Sequence, residues 1–424
     1  MAKVGFSSTT INPEIGVFMS GFYPVRAYQR KHSDLWLRAV VLKEEFITLF
    51  LQFDTIAVDN YFYNEISKRL EKFAIPKERI IVSASHTHSA PVGLINTREG
   101  IFKGAEGMLG DYNPAFVAEM LDKVETTVAK ALANLKEVKG VTFGKSEITG
   151  IGKERHDPAL PGDNRLVSWC YETMDGEKVL FYNFACHPTI LDGNSDYLSS
   201  DFPGAVAKLL RNEFREVVFI NGSCGDISTR FTRSGESIEQ IDKFAHRLAD
   251  QIKIDLASGK TEPEVKIKLT QKQYPLKIKE FDSEEVALAT LQQYEKEAEA
   301  AKDLPASDRR VIESFMEGAR TNLSFVQNFK GITEVILDVT FLKINKEIFV
   351  TIPAELFSSL SNEMRAEKGI IFLGYTNGYC LYVADRAAYE KGYYEAMSSI
   401  YEQGQGEGLI EAIDRGLTIW LTEV

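Results

Sequence analysis

The sequence predicts an α/β fold in which mixed β-sheets are flanked by helices and carry a peripheral helical hairpin. Three observations support this prediction. Short runs of β-branched and aromatic residues recur along the chain between turn residues, as at 47–53. Stretches with helical spacing of apolar residues lie between these runs, as at 115–135. Two Ala/Glu-rich stretches around Pro305 predict a pair of helices, because proline cannot continue a helix.

Composition and charge set the first limits on function. The chain has 424 residues, of which 44% are hydrophobic and 26% are charged, as in ordinary globular proteins. This length allows one large domain with insertions or two domains. We expect a single domain over residues 1–424, with the hairpin at 283–329 inserted in it. The formal net charge of −12 argues against nucleic acid as a partner and favours a small molecule.

The amino terminus contains no apolar core of signal-peptide length, so we expect a cytoplasmic protein. The longest apolar runs are too short to cross a bilayer, so no transmembrane segment is expected. The cysteines are scattered without the paired spacing of a disulfide framework or a cysteine-rich zinc site. Reduced thiols are therefore predicted at Cys170, Cys186, Cys224 and Cys380.

Strands and helices can be assigned along most of the chain. Residues 35–42 and 47–53 flank a Lys-Glu-Glu turn and predict a β-hairpin. Apolar runs predict further strands at 141–143, 165–171, 178–184, 217–220, 264–274, 334–344, 347–352 and 370–373. Helical spacing predicts helices at 61–73, 115–135, 201–214, 237–256, 283–301, 307–329 and 410–421. The glycine-containing segment at 96–112 has no periodicity and is expected to be a loop that covers or shapes a site.

Two histidines end the apolar run that begins at residue 79. Alternate side chains of a strand lie on one face, so His86 and His88 are expected to point together from its carboxyl end. Neutral imidazole is a common zinc ligand and titrates near neutral pH. One histidine can therefore bind a metal while the other transfers protons. A pair of exposed loop histidines is the alternative interpretation.

Three later segments place polar residues at the ends of predicted strands. His187 follows the strand at 178–184 and is either a third candidate ligand or a hydrogen-bonded core histidine. Ser228 follows a strand and a glycine-containing segment, where it can be a nucleophile or a hydrogen-bond donor, or part of a structural turn. Pro353 predicts a strand-to-helix junction with Glu355 in the first helical turn, as a cap-region charge or an inward ligand.

The chain resembles the neutral (non-lysosomal) ceramidase family in the order of four motifs. These motifs are His86-Thr87-His88-Ser89, Asn183-Phe184-Ala185-Cys186-His187-Pro188-Thr189, Gly225-Asp226-Ile227-Ser228 and Pro353-Ala354-Glu355. The likeness spans the family's catalytic domain, from the first strands to the carboxyl-terminal tyrosines. It implies a zinc-dependent hydrolase of lipid metabolism that cleaves the linear amide bond of an N-acyl compound by means of metal-activated water.

Carried over to matching positions, the resemblance implies a zinc ion held by two histidines, a glutamate and a tyrosine. These are His86, His187, Glu355 and Tyr382. Spacing within the Asn-x-Tyr-x-x-Tyr segment favours Tyr382 over Tyr379 as the tyrosine ligand. Two neutral nitrogens and one or two anionic oxygens leave zinc an open position and enough charge to lower the pKa of bound water to about 7.

The resemblance also implies roles for four residues around the zinc. His88 would transfer protons, Arg155 and Tyr394 would hold the substrate carbonyl or its developing oxyanion, and Ser228 would be the family's essential serine. Amide hydrolysis needs these functions, because the attacked carbonyl gains negative charge and the leaving amine needs a proton. Direct attack by water and an acyl-enzyme on Ser228 are both compatible with the residues.

Two segments depart from the family's pattern. Its Gly-Pro-Gly-Gly is here Ala90-Pro91-Val92-Gly93, and its Ser-Pro-Asn is here Ser228-Thr229-Arg230. Both changes fall where substrate would be gripped, so ceramide and a smaller N-acyl compound both remain candidate substrates. A metal-independent serine esterase centred on Ser228 is an alternative, although no Gly-x-Ser-x-Gly elbow surrounds that serine. A non-catalytic ligand-binding homologue is another, and the residues predict no oligomeric state.

Overall fold

The computed structural model describes residues 1–160, 162–235, 237–329 and 331–423. It confirms the α/β fold with mixed sheets and flanking helices. In chain order the strands are β1 (Lys3–Thr10), β2 (Phe18–Met19), β3 (Arg26–Ala27), β4 (Arg30–Lys31), β5 (Trp36–Lys43), β6 (Ile47–Phe53), β7 (Ile80–Ala84), β8 (Lys136–Glu147), β9 (Lys153–Glu154), β10 (Arg165–Thr173), β11 (Lys178–Phe184), β12 (Tyr197–Leu198), β13 (Glu216–Asn221), β14 (Ile227–Ser228), β15 (Thr261–Glu262), β16 (Ile267–Lys277), β17 (Glu334–Ile344), β18 (Glu347–Ile352), β19 (Glu355–Leu356), β20 (Ile371–Gly374) and β21 (Tyr382–Val383). The helices are α1 (Asn60–Leu70), α2 (Glu106–Leu109), α3 (Pro114–Ala133), α4 (Asp201–Leu210), α5 (Ile238–Ser258), α6 (Glu284–Ala300), α7 (Ala306–Asn328), α8 (Ser358–Lys368), α9 (Arg386–Glu390), α10 (Tyr394–Met397) and α11 (Gln405–Thr422).

Two sheets form the centre of the described structure. The large sheet has the order β13-β11-β10-β8-β1-β5-β6-β7, with β15 beside β8, and the small sheet has the order β16-β17-β18-β20. Antiparallel pairing of β5 with β6 confirms the predicted hairpin. The pairs β6–β7, β11–β13 and β18–β20 are parallel, which makes both sheets mixed.

The sheets pack face to face and are covered by helices on their outer sides. Apolar side chains between the sheets form one core, which includes Val40 and Phe181 from the large sheet and Phe349 and Leu373 from the small sheet. The amphipathic helices α1, α3, α4 and α5 bury their apolar stripes on the large sheet. The small sheet is covered by α8 and α11. This gives four layers in the order helix, sheet, sheet, helix.

Local sequence signals explain where several helices begin. The Asp59 carboxylate accepts the Phe62 N–H and caps α1, while Asn113 caps α3 directly before Pro114. The predicted helices at 61–73 and 115–135 are confirmed, with ends that differ by a few residues.

The predicted helical hairpin forms from α6 and α7. It is inserted between β16 and β17, which are adjacent antiparallel strands of the small sheet. Most of α6 is exposed, as expected for a peripheral element. One side of α7 packs against α10, and its residues Ala319 and Phe325 are buried. This helix reaches the candidate site described below.

The predicted junction at Pro353 is wrong in one respect. Glu355 lies in strand β19 and not in a helical turn, because β19 pairs in parallel with β21 and keeps the backbone extended. α8 begins only at Ser358, whose N–H and hydroxyl both donate to the Asp226 carboxylate. The β19–β21 register places Glu355 opposite Tyr382, and both were predicted to be site residues.

The described residues contain no helix that combines the length and the apolar character needed to cross a bilayer. All four cysteines are buried and carry free thiols.

Candidate active site

The candidate site lies where strands of the two sheets end. β7 and β11 of the large sheet and β18 of the small sheet lead at their carboxyl ends into the segments that carry His86, His187 and Glu355. The sheets are joined at this edge, where the Ala84 N–H donates to the Tyr375 carbonyl at 3.1 Å. Distant parts of the chain therefore meet at one edge, as at the strand ends of many α/β folds.

His86 and His88 do lie together, but strand alternation is not the reason. β7 ends at Ala84, and His86 has a left-handed backbone with a φ of 68°. This conformation costs roughly 1–2 kcal/mol for a residue other than glycine, and the His86 N–H holds it by donating to the Thr55 carbonyl at 2.9 Å. The resulting turn brings the two Nε2 atoms within 3.2 Å of each other. Backbone cost of this kind is concentrated at functional sites.

Backbone carbonyls set the tautomer of all three clustered histidines. Each Nδ1 faces a carbonyl oxygen: His86 faces Ile56 at 2.7 Å, His88 faces Gly21 at 2.9 Å and His187 faces Ile227 at 3.0 Å. A carbonyl oxygen only accepts, so each Nδ1 carries a proton and the Nε2 of each ring is left for the cluster. Histidines that bind metal ions are oriented by hydrogen bonds of this kind.

Glu355 adds a carboxylate to the cluster. Its Oε2 lies 3.1 Å from His187 Nε2 and 3.4 Å from His86 Nε2. Ligand atoms of His86, His88 and His187 all lie within 4.8 Å of one another. Four ligands at about 2.0–2.1 Å from a tetrahedral ion would be about 3.3–3.4 Å apart. The separations between these side chains therefore fit a metal ion held among them.

The electrostatics favour the protonation states that a metal ion needs. Burial, together with the charges of His86 and His187, lowers the pKa of His88 well below its ordinary value. Burial and Arg155 lower the pKa of His187 to about 4. Burial alone would raise the pKa of Glu355, but the two neighbouring histidines outweigh it and hold that pKa well below its usual range. At neutral pH the site therefore offers neutral His88 and His187 beside an ionised carboxylate.

Three tyrosine hydroxyls surround Glu355 and Arg155. Tyr379 donates to Glu355 Oε1, and Tyr375 donates to Glu355 Oε2 at 3.2 Å. The Tyr382 hydroxyl accepts a hydrogen bond from Arg155 Nη2 at 3.2 Å. Both tyrosines considered as ligands from the sequence are therefore at the site, one on the carboxylate and one on the guanidinium. Tyr375 was not predicted, since a tyrosine-dense segment gives no sign of which rings turn inward.

Arg155 reaches the cluster through the pairing of two short strands. β9 pairs with β14, and the Arg155 N–H donates to the Asp226 carbonyl at 2.9 Å. Its Nη1 lies 3.4 Å from His187 Nε2, and its guanidinium lies 5.5 Å from the ring centres of Tyr382 and Tyr394. The positive charge of Arg155 is therefore aimed at the centre of the site.

A buried chain of charges holds Arg155 in place. Glu395 is fully buried and forms an ion pair with the guanidinium. Its other carboxylate oxygen lies 2.8 Å from His156 Nε2, and His156 Nδ1 lies 2.7 Å from Glu154 Oε1. Burial opposes ionisation of Glu395, but Arg155 and His156 outweigh it and lower the pKa of Glu395 to about 2. Neither Glu395 nor His156 was predicted from the sequence, although each adjoins a predicted site residue in the chain.

Ser228 is the second residue of β14 and is buried. Its Oγ accepts a hydrogen bond from the Arg230 N–H at 3.3 Å. Among the residues that the structure describes, no imidazole or carboxylate hydrogen-bonds to this hydroxyl. A serine nucleophile is ordinarily activated by such a base, so the serine as it stands is not activated.

Two pockets open on either side of the cluster. The apolar pocket encloses about 850 Å³, including its open mouth, and the loop at 96–112 forms part of its wall, as the sequence predicted, although the short helix α2 lies within that loop. Its apolar lining includes Tyr23, Ile56, Phe102, Met108, Leu109 and Leu381. The basic pocket measures about 610 Å³, again including its open mouth, and is lined by Arg155, Arg230, Arg233 and Arg310, together with His187 and Ser228. His88, Tyr382 and Tyr394 line both pockets.

The sequence matches no family profile and no curated protein. Solved structures do match it. The crystal structure of neutral ceramidase from Pseudomonas aeruginosa is similar with a TM-score of 0.72 and 16% sequence identity, over 97% of this chain and 73% of that one. A ceramidase complexed with C2 is similar with a TM-score of 0.71 and 15% identity, over 97% of this chain and 74% of that one. The chain therefore has the fold of these ceramidase structures.

Proposed function

We propose that this chain, which has the fold of the neutral ceramidase structures, is a zinc-dependent hydrolase that cleaves the linear amide bond of an N-acyl compound. One observation carries the proposal. Three imidazoles cluster with their ligand atoms within 4.8 Å of one another, the Nε2 atoms of His86 and His187 lie within 3.4 Å of the Glu355 carboxylate, and a pocket opens on either side of this cluster. The resemblance to the ceramidase family in four ordered motifs supports the same conclusion.

Zinc is proposed to be held by His86, His187, Glu355 and Tyr382. Imidazole nitrogens with carboxylate or phenol oxygens are suitable donors for zinc, and the separations around Glu355 support a small ion. When bound, zinc supplies a Lewis acid and lowers the pKa of water to about 7. His88 is kept outside this ligand set and is assigned to proton transfer, as the family resemblance implies.

The residues of this chain supply the remaining chemistry. His88 is neutral and can accept a proton at Nε2 and pass it to the leaving amine nitrogen. Arg155, held by Glu395, directs a permanent positive charge at the place where the carbonyl oxygen gains negative charge. The Tyr394 ring lies 5.6 Å from that of Tyr382 and lines both pockets, and Tyr394 is proposed to assist on the same oxygen, as the family resemblance implies.

The apolar pocket supports an acyl chain as one part of the substrate. Its described lining is dominated by aromatic and aliphatic side chains, and it begins at His88 and Glu355. A hydrocarbon chain buried there gains about 0.8 kcal/mol per methylene group. The amide bond would then lie next to the cluster.

The proposal is tested by removing and restoring zinc. The purified protein is treated with a chelator, its metal content is measured, and hydrolysis of a panel of N-acyl amides is followed before and after zinc is added. We expect activity to disappear with the metal and to return with about one zinc per chain. Activity that survives complete removal of zinc would contradict the proposal.

The same experiment distinguishes the two alternatives. A metal-independent esterase would keep its activity toward esters after chelation and lose it in Ser228→Ala. A non-catalytic binding protein would take up zinc stoichiometrically and turn over neither amides nor esters. The missing base beside Ser228 in the described structure favours the metal-dependent reaction over the first of these.

A further inference from the structure

The basic pocket is unusual in a chain with a net charge of −12. Its wall contains four arginines, Arg155, Arg230, Arg233 and Arg310, whereas its described acidic lining consists of Asp192 and Glu317. An acidic protein that gathers arginines in one cavity creates a local positive potential there, because low-dielectric walls focus the field.

Arg155 and Arg310 are matched by carboxylates that hold them in place. Arg155 is paired with the buried Glu395. Arg310 and Glu317 lie about two turns apart on α7 and form a bidentate pair. Arg310 Nη1 donates to Glu317 Oε1 at 3.0 Å, and Arg310 Nη2 donates to Glu317 Oε2 at 2.8 Å. These charges are fixed in position and largely balanced within the protein.

Arg230 is not balanced in this way. Its Nη1 donates to the carbonyl oxygen of Arg155 at 2.7 Å, and no carboxylate oxygen of the described residues lies within 4.0 Å of its guanidinium. Burial, together with the charges of Arg310 and Arg155, lowers the pKa of Arg230 to about 9. A half-buried cation beside like charges is costly unless an anion joins it.

The position of the basic pocket indicates which part of a substrate would bind in it. It shares His88, Tyr382 and Tyr394 with the apolar pocket, so an amide bond at these residues has one arm in each pocket. The apolar pocket suits the acyl chain, which leaves the basic pocket for the substituent on the amide nitrogen. Arg230 also stands at a departure from the resembling family, whose Ser-Pro-Asn is here Ser228-Thr229-Arg230.

We propose that the substrate carries an anionic group on the amine side of its amide and that Arg230 binds this group in the basic pocket. The inference rests on the proposed function of the site. N-acylated amino acids are the simplest compounds of this class. Hydrolysis breaks the amide C–N bond: the hydroxyl of water goes to the acyl carbon and a proton to the nitrogen, which releases a fatty acid and the amino acid.

A matched set of substrates tests the charge preference. The zinc-loaded protein is assayed with N-dodecanoylglycine, N-dodecanoyltaurine and N-dodecanoylethanolamine, which share an acyl chain and differ in a carboxylate, a sulfonate or a neutral hydroxyl. We expect kcat/KM for at least one of the two anionic amides to exceed that of the ethanolamide by about tenfold or more. Comparison of the carboxylate with the sulfonate substrate shows which anion the pocket prefers.

The variant Arg230→Gln tests whether Arg230 in the basic pocket causes the preference for anionic amides. It should lower kcat/KM for the preferred anionic amide by about tenfold and leave that of the ethanolamide within about twofold. Arg415→Gln removes the same charge from the carboxyl-terminal helix α11, where the side chain is 69% exposed, and should change neither value. An equal loss on anionic and neutral amides in Arg230→Gln would overturn the inference.

Binding to the metal-free protein separates this inference from the proposed function. If the ethanolamide is cleaved as fast as both anionic amides, the inference fails and the proposed function stands. If none of the three is cleaved, calorimetric titration of the chelator-treated protein decides the matter. Tighter binding of an anionic amide than of the ethanolamide, lost in Arg230→Gln, supports the pocket while the hydrolase proposal fails. Equal binding of all three overturns the inference as well.

Discussion

The apolar pocket and the basic pocket meet at His88, Tyr382 and Tyr394, yet their outer walls come from different parts of the chain. The loop at 96–112 contributes apolar side chains to the first, and the segment after β14 contributes arginines to the second. One helix, α7, serves both: Arg310 near its start lines the basic pocket and Phe325 near its end lines the apolar pocket. At 1.5 Å per residue these positions are about 22 Å apart.

The lining of the site therefore changes from apolar on one side to positively charged on the other. The proposed substrate, with one apolar and one charged end, would then lie in one direction, with its amide bond at the shared residues. Orientation of the reacting group is a large part of catalysis, because it replaces a chance encounter by a fixed geometry. The variants below test the centre of this arrangement first and its walls afterwards.

The largest effect is expected at the centre, where removal of a ligand breaks the arrangement for both pockets. His187→Ala should abolish zinc binding and activity together, since His187 Nε2 lies 3.1 Å from Glu355 and its ring is buried. Zinc per chain and hydrolysis of an N-acyl amide are measured on the same sample. His246→Ala on the exposed side of α5 is the control and should keep both. Full zinc occupancy in His187→Ala would contradict the ligand set.

The second effect concerns a residue that both pockets share. His88→Gln should lower kcat by about 100-fold or more, as for loss of a general acid–base, while the zinc content stays at that of the wild type. Steady-state kinetics and metal analysis give the two readings. Loss of zinc in this variant would make His88 a ligand and would revise the division of roles between His86 and His88.

A third, smaller effect is expected in the apolar pocket alone. Met108→Glu places a carboxylate in that wall, where it meets the acyl chain. We expect kcat/KM for a dodecanoyl amide to fall by about tenfold, with little change for an acetyl amide of the same amine. Met108→Leu conserves volume and should behave like the wild type. An equal loss for both chain lengths would show damage to the centre instead of the wall.

The smallest effect concerns how the apolar wall is held. The Asp59 carboxylate accepts the N–H groups of Phe62 and Asn96, both at 2.8 Å, and so ties the loop at 96–112 to α1. Burial raises the pKa of Asp59 from 3.8 to about 6. The folded protein therefore holds this proton more tightly than the unfolded chain, and stability is lost as the pH rises from about 4 to about 6.

Asp59→Asn should remove this pH dependence. Relative to the wild type, its free energy of unfolding should increase by about 1 kcal/mol between about pH 5 and about pH 7.5, measured with urea. Asp111→Asn changes an exposed carboxylate near the end of the same loop and should show no such trend. A difference between Asp59→Asn and the wild type that does not vary with pH would contradict the shifted pKa.

Much of the fold follows from local patterns, and the parts that do not follow have identifiable causes. The hairpin of β5 and β6 and the amphipathic helices were predicted because their apolar periodicity is local. Glu355 was placed in a helix because its neighbours favour helices, and pairing of β19 with the distant β21 overrode that preference. Sequence patterns also gave a wrong reason for the meeting of His86 and His88, which depends on the left-handed backbone at His86.

The candidate site was predictable where motifs carry its residues and unpredictable where contacts are long-range. Arg155 and Glu395 are 240 positions apart in the chain, and neither segment has a local property that depends on the other. The contribution of α7 to the walls of both pockets could not be predicted for the same reason. Its sequence is that of a polar peripheral helix, and only the tertiary structure shows that Arg310 and Phe325 face two different pockets.

The insertion of α6 and α7 between two adjacent strands has an evolutionary consequence. Because β16 and β17 pair along their whole length without help from the hairpin, the sheet is complete whatever the intervening segment contains. Lengthening such a segment costs little, since the entropy of closing a loop grows slowly with its length. The hairpin can therefore vary, and with it the walls of both pockets, while the clustered residues at the strand ends stay unchanged.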